Sequence, residues 1–135
     1  MVNKVVARFV DGRTLKGSVF DVSPSSPIVH LQGDDGVPRP VRMADLKALF
    51  FVKDHVGDPE RADRQEFDPA DPRQRGARPV QIRFRDGETL AAFCPRYPPT
   101  GTFFFVVPAD PASNNDRILV NGKAIERMTV VRPSA

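Results

Sequence analysis

The sequence predicts an all-β protein of two small barrels derived from an internal duplication, and three observations carry that expectation. First, Arg8-Phe9-Val10-Asp11-Gly12-Arg13-Thr14-Leu15 returns 75 residues later as Arg83-Phe84-Arg85-Asp86-Gly87-Glu88-Thr89-Leu90, with six of the eight positions identical. Second, the echo keeps its order. Ile28-Val29-His30-Leu31 precedes Phe103-Phe104-Phe105-Val106 by 75 residues, and Val41, Leu46, Leu49 and Phe51 precede Val120, Ile125, Met128 and Val130 by 79. One loop has grown by four residues, a change that surface loops tolerate because closure entropy rises slowly with length. Third, the apolar residues fall in short alternating runs bounded by turn residues.

Each unit is built in the same way. Val80, Ile82 and Phe84 alternate with Gln81, Arg83 and Arg85, and Val5, Ala7 and Phe9 match them in the first unit. Each run is therefore a strand with one core face and one solvent face. Asp11-Gly12 and Asp86-Gly87 supply the residue pair that tolerates positive φ in a tight hairpin. The second strand carries Leu15, Gly17 and Val19, matched by Leu90, Ala92 and Cys94, and the small central residue suits a strongly bent strand. Proline-rich loops at 21–27 and 95–101 follow, then a third strand at 28–32 and 102–107. The fourth strand covers 37–43 and 117–120, and one turn of 3₁₀ helix fits 44–48 and 121–126. A fifth strand at 49–53 and 128–131 completes the unit.

Four strands, one helical turn and a short last strand describe an SH3-like (Sm-like) small barrel. The domain expectation is a first barrel at 1–53, a charged proline-containing linker at 54–78 and a second barrel at 79–132, the two packed face to face. Phe67 is the one large apolar anchor in the linker and is expected to dock on a barrel.

Composition narrows the function classes. Hydrophobic residues make up 40% and charged residues 27% of the chain, and no apolar run approaches the roughly 20 residues of a membrane helix, so a membrane role is not expected. Met1-Val2-Asn3-Lys4 leads directly into a strand without a secretory leader pattern, giving a cytoplasmic expectation. One cysteine and two histidines give no zinc spacing, and Cys94 aligns with Val19 as a small core residue. The net charge is +3, and basic and acidic residues are mixed in every segment instead of forming a basic stripe. The chain shows no nucleophile with a base, no carboxylate pair and no phosphate-cradling loop. Asp110 and Asp116, grouped with Ser113, Asn114 and Asn115, read as local backbone caps. No catalytic residue, cofactor, metal or small-molecule substrate is expected.

Phe50-Phe51-Val52-Lys53-Asp54 with Gly57-Asp58-Pro59, the stretch Pro108 to Arg117, and both Asp-Gly hairpins resemble an uncharacterised bacterial family of duplicated small barrels. Members of that group are found alone or beside signalling modules such as PilZ domains. The resemblance implies a fold and carries no activity. Sm-type RNA-binding proteins share a turn like Asp11-Gly12-Arg13, but they begin with a helix where this chain begins with a strand. PilZ domains bind cyclic dinucleotides through paired arginines and a serine turn. Here Asp21-Val22-Ser23-Pro24-Ser25-Ser26-Pro27 gives half of that turn, with Pro27 at the glycine position.

The resulting expectation is a non-enzymatic protein-interaction or regulatory accessory module of a bacterial cytoplasmic signalling system. Its partner would be another protein or a second copy of the chain. Phe103-Phe104-Phe105 and Leu49-Phe50-Phe51 place bulk on both faces of a strand, so something must cover the outer face. The partner-contact candidates are Tyr97, Arg96, Phe50 and Phe104. A nucleic-acid-binding alternative would use Arg8, Arg13, Arg83 and Arg85, and a second alternative is a cyclic-dinucleotide sensor.

Overall fold

Ten strands in one antiparallel sheet account for the architecture of the computed structural model, which describes residues 3–57 and 62–132. The first half contributes β1 (Asn3–Phe9), β2 (Thr14–Val19), β3 (Ile28–Gln32), β4 (Pro38–Arg42) and β5 (Leu46–Val52). The second contributes β6 (Arg78–Phe84), β7 (Thr89–Cys94), β8 (Phe103–Pro108), β9 (Asn115–Asn121) and β10 (Ile125–Val130). Single 3₁₀ turns at Met43–Asp45 and Gly122–Ala124 precede β5 and β10, and a third lies at Pro72–Arg75. The strand order is β10-β6-β7-β8-β9-β5-β1-β2-β3-β4.

The register of the first half recurs in the second. Val5↔Gly17 and Val80↔Ala92 are paired 75 residues apart, and so are Ser18↔Gln32 and Phe93↔Val107. Val5↔Phe51 returns as Val80↔Val130, and Ile28↔Arg42 as Phe103↔Asn121, with the fourth and fifth strands displaced by 79. Gly12 and Gly87 adopt φ of 94° and 95°, the left-handed conformation for which each Asp-Gly hairpin needs glycine.

The expected pair of closed, face-to-face barrels gives way to a single open sheet. β5 pairs with β9 through Ala48↔Val120, Leu49↔Leu119 and Phe50↔Ile118, so the halves join edge to edge. Closure of the first half onto itself would require β5 to pair with β4. The free edge of β5 is already occupied by β9, and β4 has prolines where edge amides would be needed.

All seven residues of β5 are buried, and alternate ones enter different cores. Leu49 and Phe51 pack with Val5, Ala7, Val19, Leu31 and Met43 of the first half, joined by Leu119, Phe103 and Phe105 from the second. Ala48, Phe50 and Val52 pack with Val80, Ile82, Phe84 and Val120. Successive strand residues face opposite sides of a sheet, so the two cores lie on opposite faces of the seam. This arrangement buries the surplus apolar bulk of Leu49-Phe50-Phe51 and half-buries that of Phe103-Phe104-Phe105.

The segment between the halves covers the outer face of β7. Phe67 meets Phe93 edge-on at 5.2 Å between ring centroids, and Ala91, Ala109 and Ala77 complete this third cluster. Arg73 locks the segment down by donating to the carbonyls of Pro108 and Ala109 at 2.9 Å each while stacking 4.5 Å over the Phe93 ring. Cys94 is buried as expected, and burial pushes its thiol pKa up.

Candidate functional site

The seam combines backbone pairing with a polar clasp. Lys47, 6% exposed on β5, donates to Asp86 Oδ2 at 2.6 Å and to Glu88 in the β6–β7 hairpin, with its ammonium 4.6 Å over the Phe84 ring. The Lys47 hydrogen bond, reinforced by the backbone N–H of Glu88, holds the Asp86 carboxyl below the usual carboxylate range. Asn121, also buried, donates to the Leu46 carbonyl at 2.8 Å and accepts from the Lys123 N–H at 3.0 Å. Arg117 lies 4.4 Å over both the Phe51 and Phe105 rings.

A cleft of about 740 Å³ opens along this seam, with Val6, Phe50 and Val52 among its apolar lining and Arg8, Glu88, Lys53 and His55 among its polar lining. These polar groups are already engaged. Arg8 pairs with Glu88 at 3.3 Å and sits 5.0 Å over Phe50. His55 Nε2 donates to the Gly17 carbonyl at 2.8 Å, and Lys53 donates to the Ser113 carbonyl at 2.9 Å. Such internal satisfaction makes the cleft a braced joint between the halves.

The two outer strands differ in what they present. On β3, the His30 N–H donates to Asp21 Oδ1 at 3.1 Å, so the backbone of His30 faces away from β4. His30 is paired with Pro40, which puts the backbone of Pro38, Pro40 and Arg42 on the outer edge of β4. Two of those three positions have no N–H, and β4 is blocked against strand addition. The same positions on β9 are Arg117 and Leu119, whose edge forms the seam. At the opposite end of the sheet, the Val131 N–H donates to the Pro79 carbonyl at 2.8 Å. The alternation then turns the backbone of Met128 and Val130 outward from β10, with both N–H groups present.

The partner-contact candidates separate. Phe50 is 8% exposed within the seam, and Phe104 packs against the second core. Tyr97 is 38% exposed in the loop after β7, at a cis Tyr97–Pro98 bond, with exposed Arg96 beside it. The four arginines of the nucleic-acid alternative are held by the chain itself. Besides Arg8 with Glu88, Arg13 pairs with Asp11 at 2.8 Å, Arg83 with Glu126 at 3.3 Å, and Arg85 donates to the Lys123 carbonyl at 2.8 Å.

The loop at 109–116 behaves as a set of local caps. Asp110 accepts from the N–H groups of Ala112 and Arg64, while Ser113 accepts from the Asn115 N–H and donates to Asp63 Oδ2 at 2.6 Å. Among the described residues, no group of three or more His, Cys, Asp or Glu side chains is arranged to hold a metal ion. Sequence reasoning missed the β10 edge and three arginines near Tyr97: Arg75, Arg78 and Arg132.

A family model described as a family of unknown function (DUF6982) matches residues 1–132. The chain belongs to this family. No curated protein and no solved structure matches the chain. Membership of DUF6982 agrees with the expectation of an uncharacterised family and names no activity for the edge or the cleft.

Proposed function

We propose that the chain is a non-enzymatic protein-interaction module of a bacterial cytoplasmic signalling system, and that an extended segment of its partner adds to the sheet along β10. The supporting observation is the inequality of the two outer strands. β4 has lost the outward amides of Pro38 and Pro40, whereas β10 keeps those of Met128 and Val130. Strand addition draws its affinity from main-chain hydrogen bonds and needs an unblocked edge of this kind. The repeated register and the order fifth-first-second-third-fourth strand in each half support reading the halves as duplicated SH3-like units, a scaffold suited to binding.

The test is capture of a partner from the native host by the wild-type chain and by Met128→Pro, which removes one outward N–H of β10. Hydrogen exchange on the isolated complex should show the Met128 and Val130 amides protected on binding. Partner capture that is unchanged by Met128→Pro, with no new protection in β10, would overturn the reading.

A further inference from the structure

Four separate stretches of the chain converge beyond the outer strand: the 3₁₀ turn at Pro72–Arg75, the start of β6, the loop after β7 and the residues after β10. They line an open cleft of about 750 Å³, a volume within the range of small-ligand sites. Its charged lining is Arg75, Arg78 and Arg132, with no carboxylate among the lining residues, and Gln74 and Tyr97 add polar groups.

Several arginines elsewhere in the molecule are neutralised by a carboxylate, and others, such as Arg85 and Arg117, are held by a carbonyl or by aromatic rings. Arg8, Arg13, Arg39, Arg73 and Arg83 each have a carboxylate within 3.3 Å. Arg75, Arg78 and Arg132 make no ion pair among the described residues, although Asp68 and Asp71 lie on the same segment as Arg75. Three like charges around one concavity repel one another, and an anion placed between them relieves that repulsion. Guanidinium groups are planar forks that bind phosphate oxygens in pairs, which a lysine cluster could not do. A single inorganic phosphate would leave much of the cleft empty, and the Tyr97 ring, Pro95 and Val130 offer an apolar wall for an attached organic group.

We propose that this cleft binds a small organic phosphate, its phosphate held by Arg75, Arg78 and Arg132 and its organic part lying against Tyr97. The site goes beyond strand addition and does not depend on it.

The test is calorimetric titration of the full chain with inorganic phosphate, pyrophosphate, AMP and GMP, with amide NMR shifts used to locate binding. At least one of AMP and GMP should bind and shift the amides of 74–79 and 130–132, and binding of the inorganic probes alone overturns the proposal. Arg78→Gln/Arg132→Gln should weaken that binding at least tenfold, and Tyr97→Ala should weaken the nucleotides more than pyrophosphate. Lys4→Gln/Lys16→Gln removes the same charge elsewhere and should leave affinity within twofold. The proposal is overturned if no probe binds or if the lysine variant weakens binding as much as the arginine variant. It is equally overturned if only a DNA oligomer or a phosphopeptide, offered in parallel, binds at these residues.

Discussion

Neutralising the two carboxylates opposite Lys47 should destabilise the chain far more than removing Lys47 itself. The Lys47 residue is 6% exposed, whereas the Asp86 and Glu88 side chains are 53% and 44% exposed. In Lys47→Met the carboxylates rehydrate and a methionine lies against Phe84, and exchanging a buried ion for a well-packed apolar group leaves stability within about 1 kcal/mol. In Asp86→Asn/Glu88→Gln the ammonium stays in its buried place without a counter-charge. Stranding a buried charge costs about 3–5 kcal/mol, and the low end applies because the amide oxygens still accept hydrogen bonds. Asparagine before Gly87 preserves the hairpin, so the loss reports on the clasp and not on the turn. At roughly 3–5 °C per kcal/mol for a chain of this size, the double variant should melt about 10 °C lower and Lys47→Met only a few degrees lower. Scanning calorimetry of the three proteins decides the matter. Equal losses for both variants would refute the claim that the burial difference governs this clasp.

Three further outcomes are expected. Asp86, Asp71 and Asp21 have carboxyls lowered chiefly by side-chain hydrogen bonds from Lys47, Arg73 and His30 respectively. Their stabilisation is complete above the unfolded carboxylate range near about 3.9 and disappears as pH falls through the lower folded values, so urea midpoints should hold from pH 7 to 5 and drop below about pH 4. Pro38→Thr/Pro40→Thr restores two outward amides on β4 and should produce concentration-dependent association with β10 of another copy, read by light scattering after size exclusion; an unchanged mass would mean the prolines are not what guards this edge. A Cβ at Gly17 would lie 2.6 Å from the Gln32 carbonyl oxygen and 2.6 Å from a Leu31 methyl, so Gly17→Ala should lower stability by about 1–3 kcal/mol in chemical denaturation, and a neutral result would show that β3 moves aside freely.

The strands themselves were legible because alternation in Val80-Gln81-Ile82-Arg83-Phe84 reflects a one-sided burial that the structure reproduces. The joining of the halves was less so. Leu49-Phe50-Phe51 announced that both faces of a strand are covered, yet apolar pattern alone does not distinguish a second sheet stacked on top from a second core curled beneath. Edge pairing runs through the backbone, which every residue shares except proline, so Pro38 and Pro40 were the one available sign of which edge stays unpaired. Covering of β7 had a sequence signal as well. Lys16 and Ser18 are polar where Ala91 and Phe93 stand in the second half, and only the latter pair lies beneath Phe67. The arginine cleft had no such signal, since positions 75, 78, 97 and 132 meet only through the fold.

Because β5 lends alternate residues to two cores, and β8 and β9 return Phe103, Phe105 and Leu119 to the first, neither half holds a complete interior of its own. A protease cut between the halves should therefore leave a nicked but associated molecule instead of freeing two working pieces. Each half expressed by itself should be insoluble, and mixing the two from denaturant should restore a single melting transition. Inheritance would be bound by the same logic: neither copy of the repeat could be traded away without unmaking its twin.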